Sequence, residues 1–245
     1  MELLHDIRTL YHLAFTRQRG DTHQERLEHF YKGQAAGYDS FRKRLLHGRA
    51  PLIAEIEKLA RPGSVWIDMG AGTGFNLELG EHLRRSCSSI YLVDLADSLL
   101  KVAEQRARSR GWTNVHFAKA DAASFNPEGP RADLITFSYS LTMIPGWKAV
   151  LQHAYELLSP GGLIGVTDFY VSKAGPPPGF VRHSWAARKG WPAWFAMDGV
   201  YFNEEHLPYL LEHFEPLVLS EKRGRVPYLL GLSAPYFVFV GRKAA

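Results

Sequence analysis

Residues 66–75 read WIDMGAGTGF: a short apolar run carrying one acid, Asp68, gives way to glycines at 70, 72 and 74. A run of that length ending in glycines reads as a buried strand that turns sharply. Glycine adopts left-handed backbone and lets a ligand approach without a Cβ in the way. In open α/β sheets that turn, at the carboxyl end of the first strand, is where ligands bind. The dinucleotide fingerprint G-x-G-x-x-G requires a glycine where this chain has Phe75. The spacing here is G-x-G-x-G, and the carboxylate of Asp68 is expected to point into the loop. That favours an amine-bearing ligand over a pyrophosphate.

The chain alternates on either side of this loop. Residues 52–60 (LIAEIEKLA) have helical apolar spacing and stop at Arg61-Pro62-Gly63. After the loop, 75–85 reads as a helix, 89–95 (SIYLVDL) as a second strand, and 97–111 as a helix capped by Asp97 and closed by Gly111. Residues 114–121 and 132–140 are the third and fourth strands. A helix from 147 is stopped by Pro160-Gly161-Gly162, and 163–170 is the fifth strand. This alternation predicts an α/β fold, a parallel sheet covered on both faces. Residues 171–202, with Pro176, Pro177, Pro178 and many aromatics, interrupt the rhythm as an insertion. A helix over 204–214 and strands at 216–223 and 235–243 follow.

With 245 residues, the chain suits one decorated α/β domain: an N-terminal helical lid over 1–60 and the sheet domain over 61–245. The single cysteine, Cys87, excludes an internal disulfide and a cysteine-built zinc site, so no metal is expected. No apolar run reaches the roughly 18 residues that a membrane helix needs, and no signal peptide is read at the start. A cytoplasmic location is expected. The net charge of +4 is mild, but basic residues crowd into 42–49, 84–85, 106–110 and 182–189.

Asp94 ends the second strand, where it can hydrogen-bond ribose hydroxyls, and Asp121 ends the third, where it can meet an adenine amino group. Together with the glycine loop and the "LLSPGG" turn before the fifth strand, these residues resemble the class I S-adenosylmethionine-dependent methyltransferases over roughly residues 60–170. The resemblance implies a Rossmann-like seven-stranded methyltransferase sheet with its last strand antiparallel. It also implies S-adenosylmethionine as cofactor, held by Tyr38, Asp68, Gly70, Ala71, Gly72, Thr73, Gly74, Asp94, Leu95, Asp121, Ala122 and Ser138.

The acceptor must be read outside that core. The fourth strand ends in Ser138-Tyr139-Ser140 and lacks the Asn/Asp-Pro-Pro-aromatic tetrad of nucleic-acid amino methyltransferases, so no nucleic acid is expected. Residues 30–49 (FYKGQAAGYDSFRKRLLHGR) and 225–243 (RVPYLLGLSAPYFVFVGRK) resemble the methyltransferase of betaine-lipid synthesis. That family trimethylates the amine of diacylglyceryl-homoserine. A phosphatidylethanolamine N-methyltransferase, a soluble small-molecule N- or O-methyltransferase and a non-catalytic lipid- or adenosylmethionine-binding module are the alternatives.

An α-amino acceptor has a pKa of about 8 and gives up its proton without a strong base. The quaternary ammonium product donates no hydrogen bond and suits aromatic faces. Tyr139 at the end of strand four is the first candidate to orient the amine, and Asp168 at the end of strand five is the second. Tyr31, Trp191 and Trp194 are candidate contacts for the ammonium. Arg42 or Arg49 is the candidate clamp for the substrate carboxylate. Tyr31 and Tyr38, two helical turns apart, fall on one helix face. The mixture of Trp185, Trp191 and Trp194 with Arg182, Arg188 and Lys189 has the composition of an interfacial segment, which predicts peripheral contact with an anionic membrane carrying the lipid amine.

Overall fold

The computed structural model describes residues 44–227, 229 and 231–244, together with Thr22, Glu25 and Glu28. Tyr31, Tyr38 and Arg42 lie outside the described residues. The elements, in chain order, are α1 (Arg49–Leu59), β1 (Val65–Met69), α2 (Asn76–Leu79), α3 (Glu81–Ser86), β2 (Ser89–Asp94) and α4 (Asp97–Ser109). They continue with β3 (Val115–Lys119), β4 (Ala132–Ser138), a 3-10 turn (Leu141–Met143), α5 (Trp147–Leu157) and β5 (Leu158–Phe169). Last come α6 (Trp185–Ala196), α7 (His206–His213), β6 (Glu215–Arg225) and β7 (Ser233–Arg242).

Seven strands form one sheet in the order β3-β2-β1-β4-β5-β7-β6. β7 runs antiparallel to both neighbours, and the other described pairings are parallel. Adjacent residues of the strands face opposite layers. Trp66, Leu134, Leu163 and Val238 join the layer of α1 to α4, through Leu52, Ile53, Ile56, Leu77, Leu83 and Leu100. Ile67, Ile135, Ile164 and Phe239 join the opposite layer, through Trp147, Leu151 and Leu210 of α5 and α7. All of β1 is buried, as a central strand covered on both sides must be.

α1 is built into this domain. A Cβ on Gly165 of β5 would meet Ile56 at 2.5 Å, and one on Gly80 would meet Ile53 at 2.5 Å. Gly80 also divides the helix expected over 75–85 into α2 and α3, because close contact with Ile53 leaves no room for a side chain there. Two further local expectations are corrected. Asp97 is the first helical residue, behind an Ala96 cap, and its carboxylate takes Lys101 at 2.6 Å. β5 begins at Leu158, so Pro160-Gly161-Gly162 falls inside its span, at an irregularity in the pairing with β4. The insertion over 171–202 is bracketed by a bridge between Tyr170 and Asn203. It contains α6, capped by the Ser184 hydroxyl, which accepts from the Ala187 N–H at 3.2 Å.

Candidate active site

The glycine loop leaves β1 and is pinned from three sides. The Gly70 and Ala71 amides donate to the Val93 carbonyl at 2.8 and 3.1 Å. The Gly72 amide donates to Asp94 Oδ2 at 2.8 Å, and the Ala96 amide to Asp94 Oδ1 at 2.8 Å. Arg106 of α4 donates to the Thr73 carbonyl and pairs with Glu78 at 2.6 Å. Burial pushes the Asp94 carboxyl up, and its three amide hydrogen bonds, from Ala96, Gly72 and Leu95, pull it back. The glycines have separate jobs. Gly70 (φ +71) lies so close to Ser140 that a Cβ would come within 2.5 Å of the serine Cβ. Gly74 (φ +67) admits Leu92 and Ala103, and Gly72 (φ +57) faces open space with Leu99 at 3.8 Å.

A cavity of about 330 Å³ opens beyond this loop at the carboxyl ends of β1 to β4. Gly70, Gly72, Asp94, Leu95, Asp121, Ala122, Ser138 and Tyr139 line it, all of them expected from the sequence, as does Arg49. Its apolar wall, from Leu99, Met143, Ile144 and Val150, was not anticipated. Met143 and Ile144 follow the end of β4 through the 3-10 turn, and only the apolar run "LTMI" after the strand hinted at them. Ala71, Thr73 and Gly74 shape the loop from behind and are not among the lining residues.

Asp68 differs from its expectation. It is fully buried, accepting from Thr136 Oγ1 at 2.6 Å and Asn76 Nδ2 at 3.0 Å, and does not line the cavity. Trp66 Nε1 donates in turn to Thr136 Oγ1 at 2.8 Å. Burial raises the Asp68 carboxyl to about 6, against the lowering effects of Thr136, Asn76 and the Arg49 guanidinium. Its role in this arrangement is to brace the loop.

Tyr139 is the one non-glycine residue with positive φ (57°) among the described residues. Its N–H donates to the Thr167 carbonyl at 2.8 Å, and its hydroxyl accepts from the Gly48 amide at 3.2 Å. Burial raises its phenol well above the usual range. A left-handed tyrosine costs of order 1 kcal/mol or more, and such strain concentrates at working sites. Asp168, one strand over, is fully buried and lies away from the cavity lining. It accepts from Thr142 Oγ1 at 2.7 Å, Thr142 N at 3.2 Å and the Phe169 amide at 2.8 Å. Burial lifts its carboxyl to about 7.

Trp191 and Trp194 do not line the cavity either. Trp191 packs on Phe195 with ring centroids 5.9 Å apart, and Trp194 is exposed. Among the described residues, no cluster of three or more histidine, cysteine or acidic side chains is placed to hold a metal ion.

The cavity fits an adenosyl group. Carboxylates stand at the ends of β2 and β3, and the open face of Gly72 admits a close approach. The buried Ser138 hydroxyl has no protein partner and lines the cavity, leaving it for a ligand.

Comparison with known proteins agrees with this geometry. The methyltransferase-domain family matches residues 38–215, most of the chain. The ubiquinone/menaquinone biosynthesis C-methyltransferase UbiE of Shewanella oneidensis is 32% identical over 111 residues, 45% of this chain and 44% of that protein. The chain therefore spans less than half the length of the curated relatives it matches. Among solved structures, the [4+2]-cyclase SpnF superposes with a TM-score of 0.68 at 18% identity, over 94% of this chain and 98% of that one. The N-methyltransferase NodS of Bradyrhizobium japonicum, in complex with S-adenosyl-L-homocysteine, gives 0.64 at 15% identity, over 89% and 98%. At such identities the structural likeness speaks for the fold alone. The chain belongs to the methyltransferase-domain family. Its cofactor is S-adenosylmethionine, and its class is the S-adenosylmethionine-dependent methyltransferases.

Proposed function

We propose that this protein transfers methyl groups from S-adenosylmethionine to the amine of a lipid headgroup, with diacylglyceryl-homoserine as acceptor and the trimethylated betaine lipid as product. The observation that carries this reading is an aromatic cluster running from the cavity wall to the insertion. Tyr139 meets Phe169 edge-on, with ring centroids 4.7 Å apart. Phe169 stacks on Phe202 at 5.1 Å and tilts against Phe195 at 4.9 Å, and Trp191 adds to Phe195. Of these rings Tyr139 lines the cavity, and an aromatic face there favours a cation that has lost its hydrogen-bond donors, which is what successive N-methylation makes.

Bound S-adenosylmethionine supplies an electrophilic methyl on a sulfonium sulfur. The protein's own task is to orient and to exclude water. An α-amino group loses its proton to solvent near neutral pH, so positioning supplies most of the acceleration. In this reading Tyr139, locked by Gly48 and Thr167, sets the direction of the amine. Asp168 acts through Thr142, holding the turn that carries Met143 beside the cofactor. Arg49, which lines the cavity, meets the substrate carboxylate. The remaining candidates, Tyr31, Tyr38 and Arg42, belong to a lid proposed for the residues ahead of α1, since α1 itself is packed into the sheet domain. Glu28 accepts from the Ser98 amide at 3.2 Å, at the start of α4. The lipid is met at the cytoplasmic face of an anionic membrane.

The test is to supply methyl-labelled cofactor with detergent-dispersed diacylglyceryl-homoserine, phosphatidylethanolamine or a quinol lacking its methyl group, and to weigh the products. Label in the homoserine lipid, in mass steps of one methyl, is the expected result. Label in the quinol alone, as the name of the UbiE relative would suggest, overturns the proposal. Label in phosphatidylethanolamine alone moves the acceptor to a phosphate headgroup.

A further inference from the structure

The outer face of α6 has the wrong chemistry for water. Trp185 is 74% exposed, Met197 65% and Trp194 49%, and Tyr201, just beyond the helix, is 58% exposed. Trp185, Lys189, Ala193 and Met197 recur every fourth residue, so they share one line along the helix. Ala186, Gly190 and Trp194 run beside them, also exposed. The helix is nevertheless firmly seated. Phe195 is buried among Phe169 and Phe202, and Arg188 Nε donates to the Ser172 carbonyl at 2.8 Å while its guanidinium reaches Glu204 at 3.5 Å. A fixed helix that turns two tryptophans and a methionine outward is an apolar face awaiting a partner.

The charge around it selects that partner. From residue 171 to 197 the sequence holds Lys173, Arg182, Arg188 and Lys189 and no aspartate or glutamate. Lys173, Arg182 and Lys189 are all exposed. Tryptophan rings beside the exposed cations Lys173, Arg182 and Lys189 match the headgroup layer of a bilayer, where rings bury and cations meet anionic lipid; of the nearest acids, Glu204 pairs with Arg188, Glu205 pairs with Lys148, and Asp198 beyond Met197 is half-buried. In the clusters at 84–85 and 106–110, the exposed Arg85 and Arg108 pair with Glu81 and Glu104 of their own helices. Arg84 lies over Trp112 at 4.9 Å, and Arg106 and Arg110 both pair with Glu78.

We infer that the outward face of α6, from Trp185 to Met197, is a docking surface for an anionic lipid bilayer. This rests on the lipid-headgroup reading of the acceptor and specifies how the protein meets it. Seated on this face, α6 lies between the headgroups and the aromatic cluster that its own Phe195 joins. α6 is about 18 Å long and lies along the surface without crossing it. Among the described residues, no helix is long and apolar enough to span a membrane.

The experiment is co-sedimentation of the full chain with vesicles of phosphatidylcholine, with and without phosphatidylglycerol, neither of which carries a methylatable amine. The protein is expected to bind the anionic vesicles preferentially and to release them in about 0.5 M salt. The double variant Trp185→Ser/Met197→Ser is expected to lose at least about tenfold in partitioning, since two large apolar contacts are gone. Its affinity for adenosylhomocysteine should be that of the parent, which reports an intact fold; if that affinity falls, Lys189→Glu serves as the second variant. Equal binding to neutral and anionic vesicles, or double-variant binding equal to the parent's, overturns the inference. So does a parent that dimerises in solution while the double variant stays monomeric, because the face would then be an interface between copies. Turnover of detergent-dispersed acceptor lipid reads the proposed function separately, so the two failures are distinguishable.

Discussion

The Tyr139 hydroxyl accepts a hydrogen bond from the Gly48 amide, and so fastens the end of β4 to the residue that precedes α1. Tyr139 and Arg49, on either side of that contact, both line the cavity. A Cβ on Gly48 would fall 1.9 Å from Thr167 Oγ1, so the approach of this segment to β5 requires a glycine. Tyr139→Phe removes the acceptor and leaves the ring packed on Phe169. The expected cost in stability is about 1 kcal/mol. Turnover should fall by roughly tenfold or more while affinity for adenosylhomocysteine stays within about twofold, the signature of lost positioning. Calorimetry beside steady-state kinetics decides the matter; if both quantities stay put, Tyr139 is a packing residue.

Asp94 joins the glycine loop to α4 through two backbone amides while facing the cavity. Replacing it with alanine leaves these amides and that of Leu95 without their acceptor and removes the group that would meet ribose hydroxyls. Cofactor affinity should drop by at least about tenfold, since hydrogen bonds to a charged group contribute roughly 1.5–3 kcal/mol. Titration with adenosylhomocysteine measures this, and unchanged affinity would reject the ribose assignment.

The three loop glycines should rank differently when changed to alanine. Gly70→Ala meets Ser140 and a left-handed backbone together and is expected to be the most damaging. Gly74→Ala presses on Leu92 at 2.9 Å, the end of a side chain that can shift, and comes next. Gly72→Ala has space and suffers chiefly from its φ, at about 1 kcal/mol. Its larger effect should be on cofactor binding, because the added methyl enters the cavity. Urea unfolding and cofactor titration on the three variants would expose any other order.

Two buried groups give opposite pH dependences. Asp168 is lifted to about 7, so its contribution to stability is full below its unfolded pKa of about 3.9 and is lost as pH rises through 7. His206 is buried against Trp147 and lowered to about 4, chiefly by burial. Its contribution is present above its unfolded value of about 6.5 and is lost as pH falls through 4. Relative to the parent, Asp168→Asn should therefore gain stability as pH rises from about 4 to 7. His206→Leu should gain as pH falls over the same range. Parallel unfolding curves for variant and parent across that range would contradict either assignment.

Much of this was legible in the sequence because the sheet announces itself locally. β1, β2 and β4 are short, mostly apolar runs, and Gly70, Asp94 and Asp121, at or just beyond the ends of the first three strands, all line the cavity. What escaped notice depends on distant partners. Asp68 turns inward because Thr136, 68 residues away, and Asn76 offer donors. Gly80 breaks a helix because Ile53 occupies its flank. The sequence of the basic runs at 84–85 and 106–110 does not show that Trp112 and Glu78 take up Arg84, Arg106 and Arg110. The aromatic insertion was recognised as a unit, but which rings face inward follows from the pitch of α6 against Phe169 and Phe202.

The position of β7 has a bearing on how the chain is made. β7 lies between β5 and β6 in the sheet, yet it is the last of the seven to be synthesised. Until residues 233–242 emerge, β5 presents an open edge of apolar strand, and β6 lacks the one strand it pairs with. Exposed edges of that kind recruit other chains. The nascent protein thus depends on its final strand for protection against its own neighbours, and β7, buried along nearly its whole length, acts as the closing stave of the sheet.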